Sequence, residues 1–231
     1  MDAVLLQRLS QITEEERELL QGRGVDRALY ASGRAFEVDA AKMLEKGKLM
    51  SIRPHTRFAP FPRHSHNYVE IMYMCRGKTV HRIDGDALVT LEAGELLFLN
   101  RHASHAIQRA DAGDIAVNFI VLPQFFDEAF NMAGMDNVLS RFLLGELYTG
   151  GAAVSYLHFR VREVLPVQNL VENMVWTLVN RQPGARRINQ VTMGLLLLQL
   201  MHYTECIDMS RNGSISRTMV EAEMREIAEN Y

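Results

Sequence analysis

His64-Ser-His-Asn-Tyr-Val-Glu-Ile-Met-Tyr-Met-Cys-Arg-Gly77 is the stretch on which the reading of this chain turns. His64, His66, Tyr68, Glu70 and Met72 all carry even numbers. Successive side chains of a β-strand alternate between two faces, so in a strand these five share one. The run from Tyr68 to Cys75 is rich in aromatic and aliphatic residues, as strands are, and Gly77 closes it. On a helix, positions 64 and 66 would stand about 200° apart and the set would scatter. The pattern predicts a strand that lines one wall of a pocket with two imidazoles, a phenol and a carboxylate. Met72 and Met74 would form its apolar floor.

A second block lies downstream. Leu91-Glu-Ala-Gly-Glu-Leu-Leu-Phe-Leu-Asn100 is a glycine turn feeding a short, nearly all-apolar strand, the pattern of a strand buried on both faces. His105 follows shortly after it. Together the blocks resemble the cupin signature: His-x-His, three residues, Glu, six residues, Gly, and later a glycine-initiated strand followed by a His. The first block fits at every His, Glu and Gly. The second departs, because Asn100 and His102 replace the usual proline and glycine, and Gln108 and Arg109 occupy the neighbourhood of an expected asparagine. This loosened form looks more like the sensor cupins of AraC/XylS-type transcription regulators than like cupin enzymes. The resemblance covers about residues 48 to 122.

The resemblance implies an α+β chain: an antiparallel β-sandwich or barrel (the double-stranded β-helix of cupins) followed by a helical C-terminal region. It implies a small-molecule effector in the pocket and a homodimer. In such regulators two helix-turn-helix units follow and bind DNA. Glu221-Ala-Glu-Met-Arg-Glu-Ile-Ala-Glu-Asn-Tyr231 looks like the opening helix of that region. The expectation is therefore an effector-sensing and dimerisation fragment that meets DNA only through an absent C-terminal part.

Bulk properties agree. The 231 residues suffice for a sizeable core, 48% are apolar and 23% charged. A net charge of −3 leaves no basic footprint for nucleic acid. Cys75 and Cys206 lie far apart and suggest reduced thiols rather than a disulfide framework. No leader sequence is visible, and no apolar run reaches the roughly 18 residues of a membrane span. A cytoplasmic protein is expected.

Three regions follow: an N-terminal helical segment at 1–47, the β-domain at 48–122, and a helical region at 123–231. Thr13-Glu-Glu-Glu16 is a capping box that should open a helix at 14–21, and a second short helix is expected near 39–45. Pro54, Pro60 and Pro62 should keep the next stretch extended and forbid a central strand. Strands are expected at 48–53, 68–75, 78–83, 86–91, 95–99, 105–109 and 115–121, with Asp84-Gly85 as a two-residue hairpin turn. After Pro123 strands should stop. Helical patterns occupy 125–147, interrupted at Gly134, then 166–180, 188–203 and 219–231. The helix at 188–203 is apolar on every side, so one side needs a further helix or a second subunit.

His64, His66, Glu70 and His105 form a ligand set suited to zinc, iron, manganese or nickel. The same residues would equally serve a metal-free pocket, hydrogen-bonding an effector between apolar walls, with no cofactor required. Outside the motif, His81 reads as a surface or cross-strand residue and His102 as a loop histidine. Arg53 and His55 read as edge-strand residues able to lend a donor to an anionic effector, and Trp176 as helix core. No catalytic nucleophile arrangement or phosphate-cradling loop is present. The competing readings are a metal-dependent cupin enzyme (a dioxygenase, isomerase or decarboxylase) and a structural dimerisation domain with an empty pocket.

Overall fold

A computed structural model describes residues 1–134, 137–149, 152–203 and 207–209. The chain opens with α1 (Ala3–Leu9), α2 (Glu14–Leu20), β1 (Glu37–Val38) and α3 (Ala40–Met43). Thr13 Oγ1 accepts from the Glu16 amide at 3.2 Å, and Glu16 Oε2 accepts from the Thr13 amide at 2.9 Å. The predicted capping box is thus formed. α1 is not among the predicted elements. A helix this short is held by tertiary packing, here of Leu5 and Leu9 into the core.

Eight strands follow: β2 (Met50–Pro54), β3 (Phe61–His66), β4 (Val69–Arg76), β5 (Lys78–Ile83), β6 (Ala87–Glu92), β7 (Leu96–Leu99), β8 (Ser104–Ile107) and β9 (Ile115–Val121). Next come α4 (Asp127–Ala133), α5 (Val138–Leu144), a small ribbon of β10 (Tyr148–Thr149) and β11 (Ala152–Ala153), and β12 (Tyr156–Phe159). α6 (Leu165–Val179), α7 (Ala185–Met201) and β13 (Ile207–Met209) complete the described chain. One sheet runs β1-β3-β8-β5-β6 and the other β13-β12-β7-β4-β9-β2. All pairings are antiparallel except β1 with β3.

The alternation of β4 organises the packing. Met72 and Met74 point between the sheets and join Ile83, Leu91, Leu97 and Leu99 in the inner core. Val69, Ile71 and Tyr73 point the other way, into a larger cluster shared with Phe119, Phe142, Val171 and Leu197, where the C-terminal helices cover the six-stranded sheet. This two-sided burial explains the unbroken apolar character of β4 and β7.

Four expectations need correction. His64 and His66 do not share a strand with Glu70: β3 and β4 belong to opposite sheets, and the chain crosses between them at Asn67-Tyr68. The prolines do not exclude a central strand, since β3 lies between β1 and β8. Pro62 falls where the β3–β8 register shifts and where β1 does not reach, so its missing N–H interrupts no ladder. Strands do not stop after Pro123, because β12 pairs with β7 and extends the sandwich. Asp84 and Gly85 do adopt positive φ, 49° and 92°, but Ile83 pairs with Ala87, so the hairpin loop has a third residue, Asp86.

The helices near 39–45, 166–180 and 188–203 are found within a few residues of expectation, and Gly134 ends α4 at φ 81°. Cys206 and the pattern at 219–231 lie outside the described residues. Among the described residues no helix is long and apolar enough to cross a membrane.

Candidate ligand-binding cavity

His64 and His105 face each other across the β3–β8 ladder, with ring centroids 4.2 Å apart. Glu70 approaches from β4 of the opposite sheet, and its Oε2 lies 3.3 Å from His105 Nε2. One ligand atom from each of His64, Glu70 and His105 lies within 4.8 Å of the others. His66 stands outside that group, although its ring centroid is 5.8 Å from that of His105. Three of the four residues in the predicted metal set therefore converge on one point.

Hydrogen bonds fix the chemistry of these rings. His64 Nδ1 lies 3.0 Å from the Pro62 carbonyl oxygen, and His66 Nδ1 lies 2.8 Å from that of Tyr68. A carbonyl only accepts, so each Nδ1 carries a proton. His66 Nε2 is buried and unpartnered. Burial, then the neighbouring His105, pushes His64 down to about 3. Burial likewise holds His55, His81 and His105 below the usual imidazole range. The His55, His64, His81 and His105 rings are neutral at physiological pH.

The site is larger than its sequence signature. His81, read as a surface or cross-strand residue, pairs across the sheet with Val89 and Ile107 and is fully buried, 6.0 Å from the His105 ring and 5.9 Å from His55. On β5 the buried side chains are Thr79, His81 and Ile83, while Lys78 and Arg82 face out. The two flanking cations carried the signal, and Val80 on the outer face obscured it. Asn118 was also missed: it is a lone amide inside the apolar strand β9, which marks a polar contact within a core. Its Nδ2 donates to Glu70 Oε1 at 2.9 Å, which leaves its Oδ1 to accept from His55 Nδ1 at 3.3 Å. His55 is therefore a buried member of the site rather than a free edge residue.

Around these groups lies a cavity of about 460 Å³, its open mouth included. Tyr30, Val38 and Met43 of the N-terminal segment wall it together with His64, Tyr68 and Glu70 of the sandwich. Tyr68 stacks on His66 at 4.9 Å, and burial followed by the Glu70 charge raises its phenol above the usual value. Met72 lies in the inner core and is not among the cavity-lining side chains. At the mouth, Arg53 sits 5.0 Å above the Tyr30 ring and 3.5 Å from Glu15 Oε2. His102 Nε2 lies 2.9 Å from the Gly145 carbonyl oxygen, tying its loop to the end of α5 instead of reaching the cavity.

With this geometry in hand, known proteins supply the class. Residues 51–130 match the family model described as the AraC-like ligand binding domain. A crystal structure of an apo variant of ToxT from Vibrio cholerae strain SCE256 superposes with a TM-score of 0.52 at 11% identity. It covers 81% of this chain and 72% of that one, a likeness of fold. ToxT from Vibrio cholerae O395 gives 0.43 at 9% identity, over 78% of this chain and 68% of that chain. A cupin protein from Bacteroides fragilis is 28% identical over 32% of this chain and 64% of its own, with a TM-score of 0.27. No curated protein matches the sequence significantly.

Proposed function

We propose that this chain is the effector-sensing and dimerisation part of a cytoplasmic, AraC-type transcription regulator. A small molecule enters the cavity and meets His64, Tyr68 and Glu70, with His66 and His105 behind them. Met72 supports that wall from the inner core. No resident cofactor is required. The observation that carries this reading is a buried carboxylate on a cavity-lining side chain, Glu70, within the residues that match the AraC-like ligand binding domain; its Oε2 makes no hydrogen bond and lies 3.3 Å from the equally unbonded His105 Nε2. Binding favours one placement of the N-terminal segment over another, since only differential affinity for two states can shift them. A homodimer formed through α7 carries that shift to DNA-binding units following this region.

The test is a thermal-shift screen of sugars, hydroxy acids and amines, repeated on His64→Ala and His105→Ala. The hit should lose affinity well beyond about twofold in both variants. An unchanged affinity sinks the pocket assignment.

One observation favours a second reading, a metal-dependent cupin enzyme. The donor set His64, His105 and Glu70 fits a divalent first-row ion with positions left open. A metal held there would supply Lewis-acid chemistry. Stoichiometric iron, manganese, nickel or zinc in protein purified without chelators would decide for that reading.

A further inference from the structure

Around Glu70 the acceptors His64 and Glu70 stand beside one phenol donor, Tyr68. His64 Nδ1 is committed to the Pro62 carbonyl, so this ring offers the cavity only the Nε2 lone pair. Asn118 donates one of its two amide N–H groups to Glu70 Oε1 and accepts from His55. Glu70 Oε2, on a residue 4% exposed, makes no hydrogen bond, and the ring nitrogen Nε2 of His105 lies 3.3 Å from it. The cation at the mouth is already balanced, because Arg53 faces Glu15 and the Tyr30 ring. The neighbouring walls are apolar or aromatic: Val38, Met43, Phe61, Ile107 and Ile120. A carboxylate or phosphate placed beside Glu70 would meet a like charge and lone pairs. A neutral hydroxyl would satisfy one acceptor and leave the charge uncompensated. A protonated amine supplies both a positive charge and several N–H donors.

We infer that the cavity selects a small organic ammonium ion, a primary amine on a short apolar body, whose N–H groups donate to Glu70 Oε2 and His64 Nε2. The inference rests on the sensing-cavity reading and adds its charge selectivity. Phe61 and Ile107 then receive the apolar body.

The experiment uses the full chain, dialysed against EDTA, with three probes of equal length: n-butylamine, butyrate and 1-butanol. Calorimetry and thermal denaturation should show saturable binding of the amine alone at one per chain. Glu70→Gln should weaken it about tenfold or more, since a charge-assisted bond becomes a neutral one. Arg53→Gln, at a partly exposed position, should tighten the amine by freeing the Glu15 carboxylate at the mouth from its cation. If Glu70→Gln does not fold, the Arg53 variant decides, and unchanged or weaker affinity there overturns the inference. So does butyrate or butanol binding as tightly as the amine, amine binding that ignores Glu70→Gln, or no amine binding. Butyrate binding that is lost in His64→Ala would overturn the charge selectivity and leave the sensing cavity standing. Stoichiometric metal in the undialysed protein would remove both.

Discussion

Glu16 shows how far a single residue can be read in advance. Its reach back to the Thr13 amide follows from spacing alone. Its other oxygen has a partner 41 positions away: Oε1 accepts from Arg57 Nε at 2.6 Å, deep in the protein. Arg57 also donates to the carbonyls of Ser10, Gln11 and Ala112, so one guanidinium ties the N-terminal helices to the sandwich. Burial raises the Glu16 carboxyl, but the bonds from Arg57 and Thr13 outweigh it and hold the group below 4.5. A depressed folded-state value contributes stability that is complete above the ordinary 4.5 and lost as pH falls through the lower folded value. Glu16→Gln keeps the capping geometry but strands a buried cation, and should cost roughly 3–5 kcal/mol at pH 7 in urea unfolding. The gap to the unsubstituted protein should narrow below pH 4.5, and a constant gap would refute the assignment. The sequence showed the cap because capping is local. It could not show Arg57, nor the burial of His81, because those depend on which segments meet.

Among the elements, hydrophobic period identified β4, β5, β7 and β9 almost to the residue, because each buries at least one full face. β3 and β12 were lost for a shared reason: neither has a two-residue alternation strong enough to outweigh a proline or a helical neighbourhood. The His-x-His block reads as continuous with Glu70, yet His64 lines the cavity from β3 and Glu70 from β4 of the other sheet. Residue parity survives a strand crossing over by chance, so counting alone cannot detect the turn at Asn67. α7 is a case where the pattern and the structure agree on an unfinished surface. Met193, Leu196, Leu197 and Leu200 are buried, whereas Ile188, Val191 and Leu195, at helical spacing, remain 39%, 37% and 43% exposed. In the proposed dimer this stripe is covered. The double substitution Ile188→Glu with Leu195→Glu should give a monomer by sedimentation while its unfolding free energy at low concentration changes by less than about 1 kcal/mol. A dimer that persists would place the interface elsewhere.

For the whole molecule, the three regions expected from sequence are less separate than composition suggests. The N-terminal segment supplies Tyr30, Val38 and Met43 to the cavity, and β1 adds a parallel strand beside the histidine strand at Ser65 and His66. Ligand occupancy should therefore protect this segment. At a concentration near a hundred times Kd, bound protein gains about 2.7 kcal/mol against any opening that empties the cavity. Tryptic cleavage at Arg23, Arg27 and Arg34 should then slow by one to two orders of magnitude, and an unaltered cleavage rate would show that the segment opens independently of the cavity. The division of His64 and His105 from Glu70 between two sheets has its own consequence. Any occupant grasped by both becomes a rivet through the sandwich, so the thickness of the gap between the layers, rather than the outline of either wall, gauges what is held.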